Sequence, residues 1–241
     1  MRIGVLTGAG MSAESGVPTF RDALTGLWAR HDPAELATEA AFRRDPALVW
    51  GWYRWRAAQV RRALPHRGHT GLAALAATHE VRVVTQNVDD LHERAGSIDV
   101  VHLHGSLFSS RCSDCGRRAV PEPLAAALAD ADEAARLPPP ACSHCPGTIR
   151  PGVVWFGEAL PTAAWDAALD VVATAELLVV VGTSGLVHPA AALPSLARRA
   201  GLPVIEINPQ PGAIAEVASE SWRCTAGAGI ARLLERLDAG G

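Results

Sequence analysis

Short apolar runs alternate along this chain with longer stretches in which apolar residues recur every third or fourth position. Ile3-Gly4-Val5-Leu6, Val81 to Thr85, Ile98 to Leu103, Leu177 to Val181 and Val204 to Ile207 are apolar at consecutive positions, rich in β-branched residues and too short for helices. Such runs predict strands covered on both faces. Asp45-Pro46 reads as a helix start, with Asp as the cap and Pro in the first turn, and Val49, Trp52, Tyr53, Arg56 and Val60 then fall on one face. Further helices are expected over Gly71 to His79, Ala163 to Thr174, Ala190 to Ala200 and Ile230 to Leu237, with a short strand at Trp222 to Cys224. The βα alternation predicts an α/β fold with a doubly wound parallel sheet.

Polar residues then cluster where the strands end. The first strand runs into Gly8 to Arg21, GAGMSAESGVPTFR, a G-x-G-x-x-A pattern through Gly8, Gly10 and Ala13. At a strand-to-helix turn these residues would let a pyrophosphate approach the backbone, with the first helical N–H groups facing the anion. An ordinary dinucleotide unit reaches its second strand within about 30 residues. Here that strand is Val81 to Thr85, so the pattern predicts an insertion and speaks against a plain dehydrogenase. Asp22 to Asp32 reads as a loop able to move over a ligand, with Leu27 and Trp28 as its large apolar groups. Gln86, Asn87 and Asp89 follow the second strand, and His104 follows the third. Gly182-Thr183-Ser184 and Asn208-Pro209-Gln210 add small polar groups after two later strands, all at the carboxyl rim where open α/β sheets hold ligands. A lone His at such a place is readily a satisfied structural residue, but the polar loop beside it favours a base.

Two features depart from simple patterning. Arg56 lies one turn from Tyr53 on an apolar helix face, which fits either an anion met there or a half-buried edge with a snorkelling Arg. Arg150 to Glu158, RPGVVWFGE, reads as a strand whose Phe156-Gly157-Glu158 end is either an exposed edge open to a peptide or a packed terminus.

Composition narrows the class. The chain of 241 residues carries a formal charge of −3, without the basic excess expected of a nucleic-acid binder. No apolar run reaches the roughly 20 residues of a membrane span, and the first strand begins next to Met1, so neither signal peptide nor anchor is expected. Cys112-x-x-Cys115 and Cys142-x-x-Cys145 describe a closed four-thiolate site for one structural zinc, favoured over a redox pair or disulfides, and a reducing, cytoplasmic setting. Cys224 is expected to be a small buried apolar residue.

Taken together, GAGMSAESGVPTFR, TQNVDDLHERAG, Leu103-His104-Gly105, the two C-x-x-C pairs, RPGVVWFGE, GTSGLVHPA and IEINP resemble the sirtuin family of NAD-dependent protein lysine deacylases over essentially the whole chain. The resemblance implies a Rossmann-like NAD-binding large domain of residues 1–30, 66–104 and 150–241. It implies a small domain made of a helical module, 31–65, and a zinc module, 105–149, with substrates entering between the domains. By position, Gly8, Ala9, Gly10, Ser12, Phe20 and Arg21 would hold the pyrophosphate and nicotinamide half of NAD, and Gln86, Asn87 and Asp89 would line the nicotinamide and ribose pocket. Gly182, Thr183, Ser184, Asn208, Pro209, Gln210 and Ala226 would contact the rest of the cofactor. His104, with Asn87, would be catalytic. An acyl-lysine protein or peptide would lie between Phe156-Gly157-Glu158 and the loop carrying Val187, its acyl chain beside Val154 and Phe156. Acyl transfer to NAD would yield free lysine, nicotinamide and 2′-O-acyl-ADP-ribose, with a base of near-neutral pKa acting on the ribose hydroxyls. Trp52 to Arg56 is similar to the Y-x-x-R stretch with which one sirtuin branch recognises succinyl- or malonyl-lysine, and Ala23 would leave room for the longer chain. Mono-ADP-ribosyl transfer and non-catalytic NAD or ADP-ribose sensing are the competing readings. Met11, Val17, Val88 and His188 depart from the commoner family residues.

Overall fold

The computed structural model describes residues 1–18, 32, 36–119 and 136–239. The chain forms two compact units, Met1–Thr19 with Leu64–Leu103 and Leu160–Gly241, and Phe20–Ala63 with His104–Ala159.

The first unit is built on a six-stranded sheet. Its strands are β1 (Arg2–Thr7), β2 (Glu80–Thr85), β3 (Val101–His102), β7 (Leu177–Val181), β8 (Val204–Ile207) and β9 (Glu220–Trp222), in the order β3-β2-β1-β7-β8-β9. Every pairing is parallel. The all-apolar run of β7 divides by alternation: Val179 and Val181 face a core with Leu72, Leu75, Ile230 and Leu233, from helices α4 (Arg67–Leu75) and α8 (Ala226–Asp238). Leu178 and Val180 face the opposite core with Val171, Val172, Leu193 and Ala197, from α6 (Thr162–Thr174) and α7 (Leu193–Arg199). Both faces of the sheet are therefore covered, as the uninterrupted apolar strands require.

Several boundaries differ from expectation. The Ile98 to Leu103 run shortens to β3, because Gly96 and Asp99 take positive φ in a turn that leaves Ile98 exposed. The last strand falls at Glu220–Trp222 instead of Trp222 to Cys224, since Cys224 N–H turns back to the Trp222 carbonyl. Cys224 is partly buried against the first core. Helix α4 starts before Gly71 because the His66 ring caps it, accepting from Gly68 N–H at 2.9 Å. Helix α8 starts at Ala226 behind a Thr225 cap. Ala190–Ala192 forms a separate 3-10 turn ahead of α7.

The second unit contains α2 (Glu39–Arg44), α3 (Pro46–Arg62) and an antiparallel sheet ordered β5-β4-β6, from β4 (Gly105–Cys112), β5 (Arg118–Ala119) and β6 (Ile149–Val153). Helix α3 begins as predicted: the Asp45 carboxylate accepts from Leu48 N–H at 3.1 Å and Pro46 occupies the first turn. Its expected face, Val49, Trp52, Tyr53, Arg56 and Val60, is buried. Among the described residues no helix is long and apolar enough to cross a membrane.

Candidate functional site

In the first unit the carboxyl ends of β1, β2, β7 and β8 carry the expected polar rim. Both protons of the Asn87 amide are committed, to the Gly8 carbonyl at 3.1 Å and Ser12 Oγ at 3.0 Å, and Ser12 Oγ donates to Asp89 Oδ2 at 2.8 Å. The carbonyl oxygen is then the atom that Asn87 can offer elsewhere. Asp89 also accepts from Leu91 N–H, and burial raises its pKa against the lowering pull of Ser12. Gln86 donates to Thr183 Oγ1 at 2.9 Å, and Asn208 donates to the Thr183 carbonyl at 3.0 Å. Ser184 Oγ accepts from Leu186 N–H at 3.4 Å. Pro209, Gln210 and Val187 are exposed, and Ala226 is buried at the start of α8. Two hydrogen-bonded groups result, Gly8 with Asn87, Ser12 and Asp89, and Gln86 with Thr183 and Asn208, joined through the Gln86–Asn87 peptide bond.

The glycines of the first turn also carry a structural role. Gly8 N–H bonds the Val181 carbonyl and Gly10 N–H bonds the Gly182 carbonyl, so neither donor faces an anion. A Cβ on Gly8 would stand 2.8 Å from the Thr183 Cβ, and one on Gly10 would stand 2.7 Å from the Gly182 Cα. These glycines let the turns after β1 and β7 close on each other. Phe20, Arg21 and Ala23 lie outside the described residues, as does most of the Asp22 to Asp32 segment.

Behind the rim lies a histidine stack that the motif reading passed over. His66, His69 and His92 follow edge to face, with ring centroids 4.4 and 4.9 Å apart. His66 Nε2 lies 2.6 Å from the Met11 carbonyl, and His92 Nε2 lies 3.1 Å from Thr7 Oγ1. His69 is fully buried and neither ring nitrogen has a hydrogen-bond partner. Burial lowers the His69 pKa to about 2 and that of His92 to about 4. The i, i+3 spacing of His66 and His69 was the available sequence signal; the partner, His92, comes from another helix, α5 (Leu91–Arg94).

These shifts carry a stability consequence. Both folded pKa values lie below the unfolded value of about 6.5, so the unfolded chain binds more protons in the window from about pH 6.5 down to about 4. The contribution is fully present above about pH 6.5 and is lost as pH falls, by about 1.4 kcal/mol per pH unit for each ring. Urea unfolding followed between about pH 7 and 5 is expected to show this loss, and His69→Phe should remove one ring's share of the slope. A slope identical in His69→Phe and the parent would rule out His69 as a contributor.

In the second unit the four zinc-ligand candidates meet. The Sγ atoms of Cys112, Cys115, Cys142 and Cys145 all lie within 4.8 Å of one another, and no disulfide joins them. Cys112 and Cys145 are 3.4 Å apart and Cys115 and Cys142 3.9 Å, close to the roughly 3.8 Å edge of a tetrahedron with Zn–S bonds of about 2.3 Å. Backbone N–H groups of Cys115 and Asp114 point at Cys112 Sγ, and that of His144 at Cys142 Sγ. The Cys115 N–H lowers the Cys112 thiol pKa, while the hydrogen bond with Cys112 raises that of Cys145, so without a metal the cluster shares its protons unevenly. The donor set fits one structural zinc with no open position.

His104 precedes β4, with its carbonyl accepting Val154 N–H at 2.8 Å. Gly105 beside it has φ 74°, and a Cβ there would come within 2.1 Å of the Gly152 carbonyl oxygen, so the chain can turn after His104 only at glycine. The FGE segment lies beyond β6, with Phe156 in a parallel bridge to Thr38 before the chain turns at Gly157. β6 ends at Val153, Phe156 N–H bonds the Ala37 carbonyl, Glu158 N–H bonds the Trp155 carbonyl, and Gly157 takes φ 86°. Phe156 and Gly157 remain exposed, while the Glu158 carboxylate turns inward to Arg150, Arg111 and the Trp155 N–H. Arg150 and Trp155 are site-shaping residues that spacing alone did not single out. Tyr53 and Arg56 are both buried on α3, with the Arg56 guanidinium 5.1 Å from the Trp52 ring centroid.

Comparison with known proteins agrees with this arrangement. A profile described as the Sir2 family matches residues 8–189. The chain is 56% identical over 214 residues to "NAD-dependent protein deacylase 1" of Pseudomonas aeruginosa, covering 87% of this chain and 84% of the relative. It is 52% identical over 240 residues to the "NAD-dependent protein deacylase" of Mycobacterium tuberculosis, covering 99% of each. A crystal structure of a Sir2 homologue in complex with NAD superposes with a TM-score of 0.87 at 43% identity, over 99% of this chain and 90% of the other. With a family profile matched over residues 8–189, relatives about half identical and a shared fold over nearly the whole chain, the chain belongs to the Sir2, or sirtuin, family.

Proposed function

We propose that this protein is an NAD-dependent protein lysine deacylase whose acyl site takes succinyl and malonyl groups as well as acetyl. Deacylation with NAD follows from the kinship: relatives more than half identical over the aligned residues carry that activity in their names. The acidic-acyl preference rests on one observation, that Tyr53 and Arg56 stand three positions apart on the buried face of α3. A guanidinium fork beside a phenol supplies several donors and no competing acceptor charge, which suits a carboxylate. Burial raises the Tyr53 pKa, so the phenol keeps its proton for donation.

When bound, NAD would supply a ribose C1′ with nicotinamide as leaving group and accept the acyl group, one water being consumed as the lysine amine is released. His104 takes a proton from a ribose hydroxyl. Asn87 orients the ribose through its amide oxygen, its amide nitrogen being held by Gly8 and Ser12. Gly8, Ala9, Gly10, Ser12, Gln86, Asp89, Gly182, Thr183, Ser184, Asn208, Pro209, Gln210 and Ala226 form the cofactor side of the site. Val154, Phe156, Gly157, Glu158 and Val187 contact the acyl-lysine peptide.

The test compares succinyl- and acetyl-lysine peptides. A charge-assisted hydrogen bond contributes roughly 1.5–3 kcal/mol, so Arg56→Met is expected to lower kcat/KM for succinyl-lysine by about 10- to 100-fold. Acetyl-lysine turnover should stay within a few-fold, and Tyr53→Phe should shift preference the same way by less. Every one of the 22 residues counted as Lys or Arg is arginine, so the enzyme adds no acyl-lysine of its own to such an assay. Equal losses on both peptides would make the pair structural and end the clamp reading.

A further inference from the structure

Trp155 sits where the acyl clamp would be aimed. Its indole N–H donates to the Tyr53 hydroxyl oxygen at 3.0 Å, and both residues are buried, at 2% and 4% exposure. Three sides hold the indole. The Arg150 guanidinium carbon lies 3.3 Å from the ring centroid, the Phe42 ring packs at 5.3 Å, and the Trp155 N–H of the main chain is fixed by the Glu158 carboxylate at 2.9 Å. Arg150 is itself paired with Glu158 and bonded to the Val153 carbonyl at 3.1 Å. Burial raises the Glu158 pKa, but hydrogen bonds from Arg150 and the Trp155 main chain outweigh this and hold it below its usual range. The indole is thus a rigid donor anchored at its far end.

A phenol has one proton and two acceptor positions, whereas an indole can only donate. The Trp155 N–H occupies one acceptor position of Tyr53, so the phenolic proton must turn away from the indole. A donor that points at an oxygen also strengthens the bond that oxygen's own proton makes.

We propose that Trp155 is a positioning residue for acyl selectivity, fixing the direction in which the Tyr53 hydroxyl donates to the carboxylate of an acidic acyl chain. This rests on the clamp reading of Tyr53 and Arg56 above. It adds that selectivity is set from the RPGVVWFGE segment as well as from α3, and that Arg150 and Glu158 act through Trp155. An acetyl group presents no carboxylate, so its turnover does not depend on the phenolic proton.

The experiment measures kcat/KM for succinyl- and acetyl-lysine peptides in the full-length enzyme. Trp155→Phe is expected to lower the succinyl-to-acetyl ratio by about three- to tenfold, the range of one neutral hydrogen bond, chiefly through KM for the succinyl peptide. In a Tyr53→Phe background the same change should leave the ratio where Tyr53→Phe alone puts it. Should the smaller ring disturb folding, 3-benzothienylalanine at position 155 keeps the indole's shape and replaces only its N–H by sulfur; the same fall in ratio is expected. Arg56→Met serves as the control. A ratio that falls with Arg56→Met but not with either change at position 155 overturns this inference alone. So does a fall at position 155 that persists undiminished without the Tyr53 hydroxyl. A ratio unmoved by Arg56→Met overturns the clamp and this inference with it.

Discussion

His104→Ala is expected to reduce lysine deacylation by about 100- to 10,000-fold, the usual share of a general base, while NAD binding remains measurable. The turn after His104 is set by Gly105 and by the bond from Val154 N–H to the His104 carbonyl, neither of which uses the imidazole. The imidazole's proposed work is on a ribose hydroxyl, so its loss should fall on kcat and not on cofactor affinity. Mass spectrometry of the acyl-ADP-ribose product and calorimetry with NAD separate the two. Turnover near that of the parent would sink the assignment. Loss of activity together with loss of NAD binding would make His104 a binding or structural residue.

The second large effect concerns the metal. Cys112→Ser or Cys145→Ser is expected to release zinc, unfold the second unit around β4–β6 and abolish activity together. The reason is the small size of what the site holds together. β5 has two residues, β4 and β6 form one short ladder, and the knuckle backbone bonds largely back to itself, as Ser113 N–H to Thr148 and Cys142 N–H to Gly147 do. Metal ligation in structural sites of this type is worth about 10–16 kcal/mol, which far exceeds what so short a sheet supplies. Metal content by atomic emission, near-ultraviolet circular dichroism and turnover should change in step. An active, folded protein free of metal would contradict a structural role.

How far such features could be read from residues alone depended on their range along the chain. β7 and β8 were legible because both faces are covered, which forces apolar residues at every position. The start of α3 was legible because a cap acts over three residues, and the cysteine site because each knuckle is local. The strand-end motifs were legible as polar breaks directly after apolar runs. Where a boundary failed, a local rule had an unusual actor: an imidazole caps α4, and a turn through Gly96 and Asp99 cuts the third strand short.

Other properties existed only once distant segments met. Gly105–Cys112 is a mixed sequence of Gly, Ser, Leu, Phe and Arg, and becomes a strand because Ile149–Val153 pairs with it across the intervening zinc module. Gly8 and Gly10 read as a turn, but that their N–H groups and missing Cβ atoms meet the turn after β7 is stated by no local pattern. Three histidines became a stack only when α4 and α5 were brought together. The Trp155–Tyr53 bond joins residues 102 positions apart. Strand burial, helix caps and knuckles are short-range and leave periodic traces, so the main elements, the metal ligands and the family could be read from the residues. Tertiary structure alone decided which donors are spent and which remain to offer, because a hydrogen bond between distant residues leaves no period in either partner's neighbourhood.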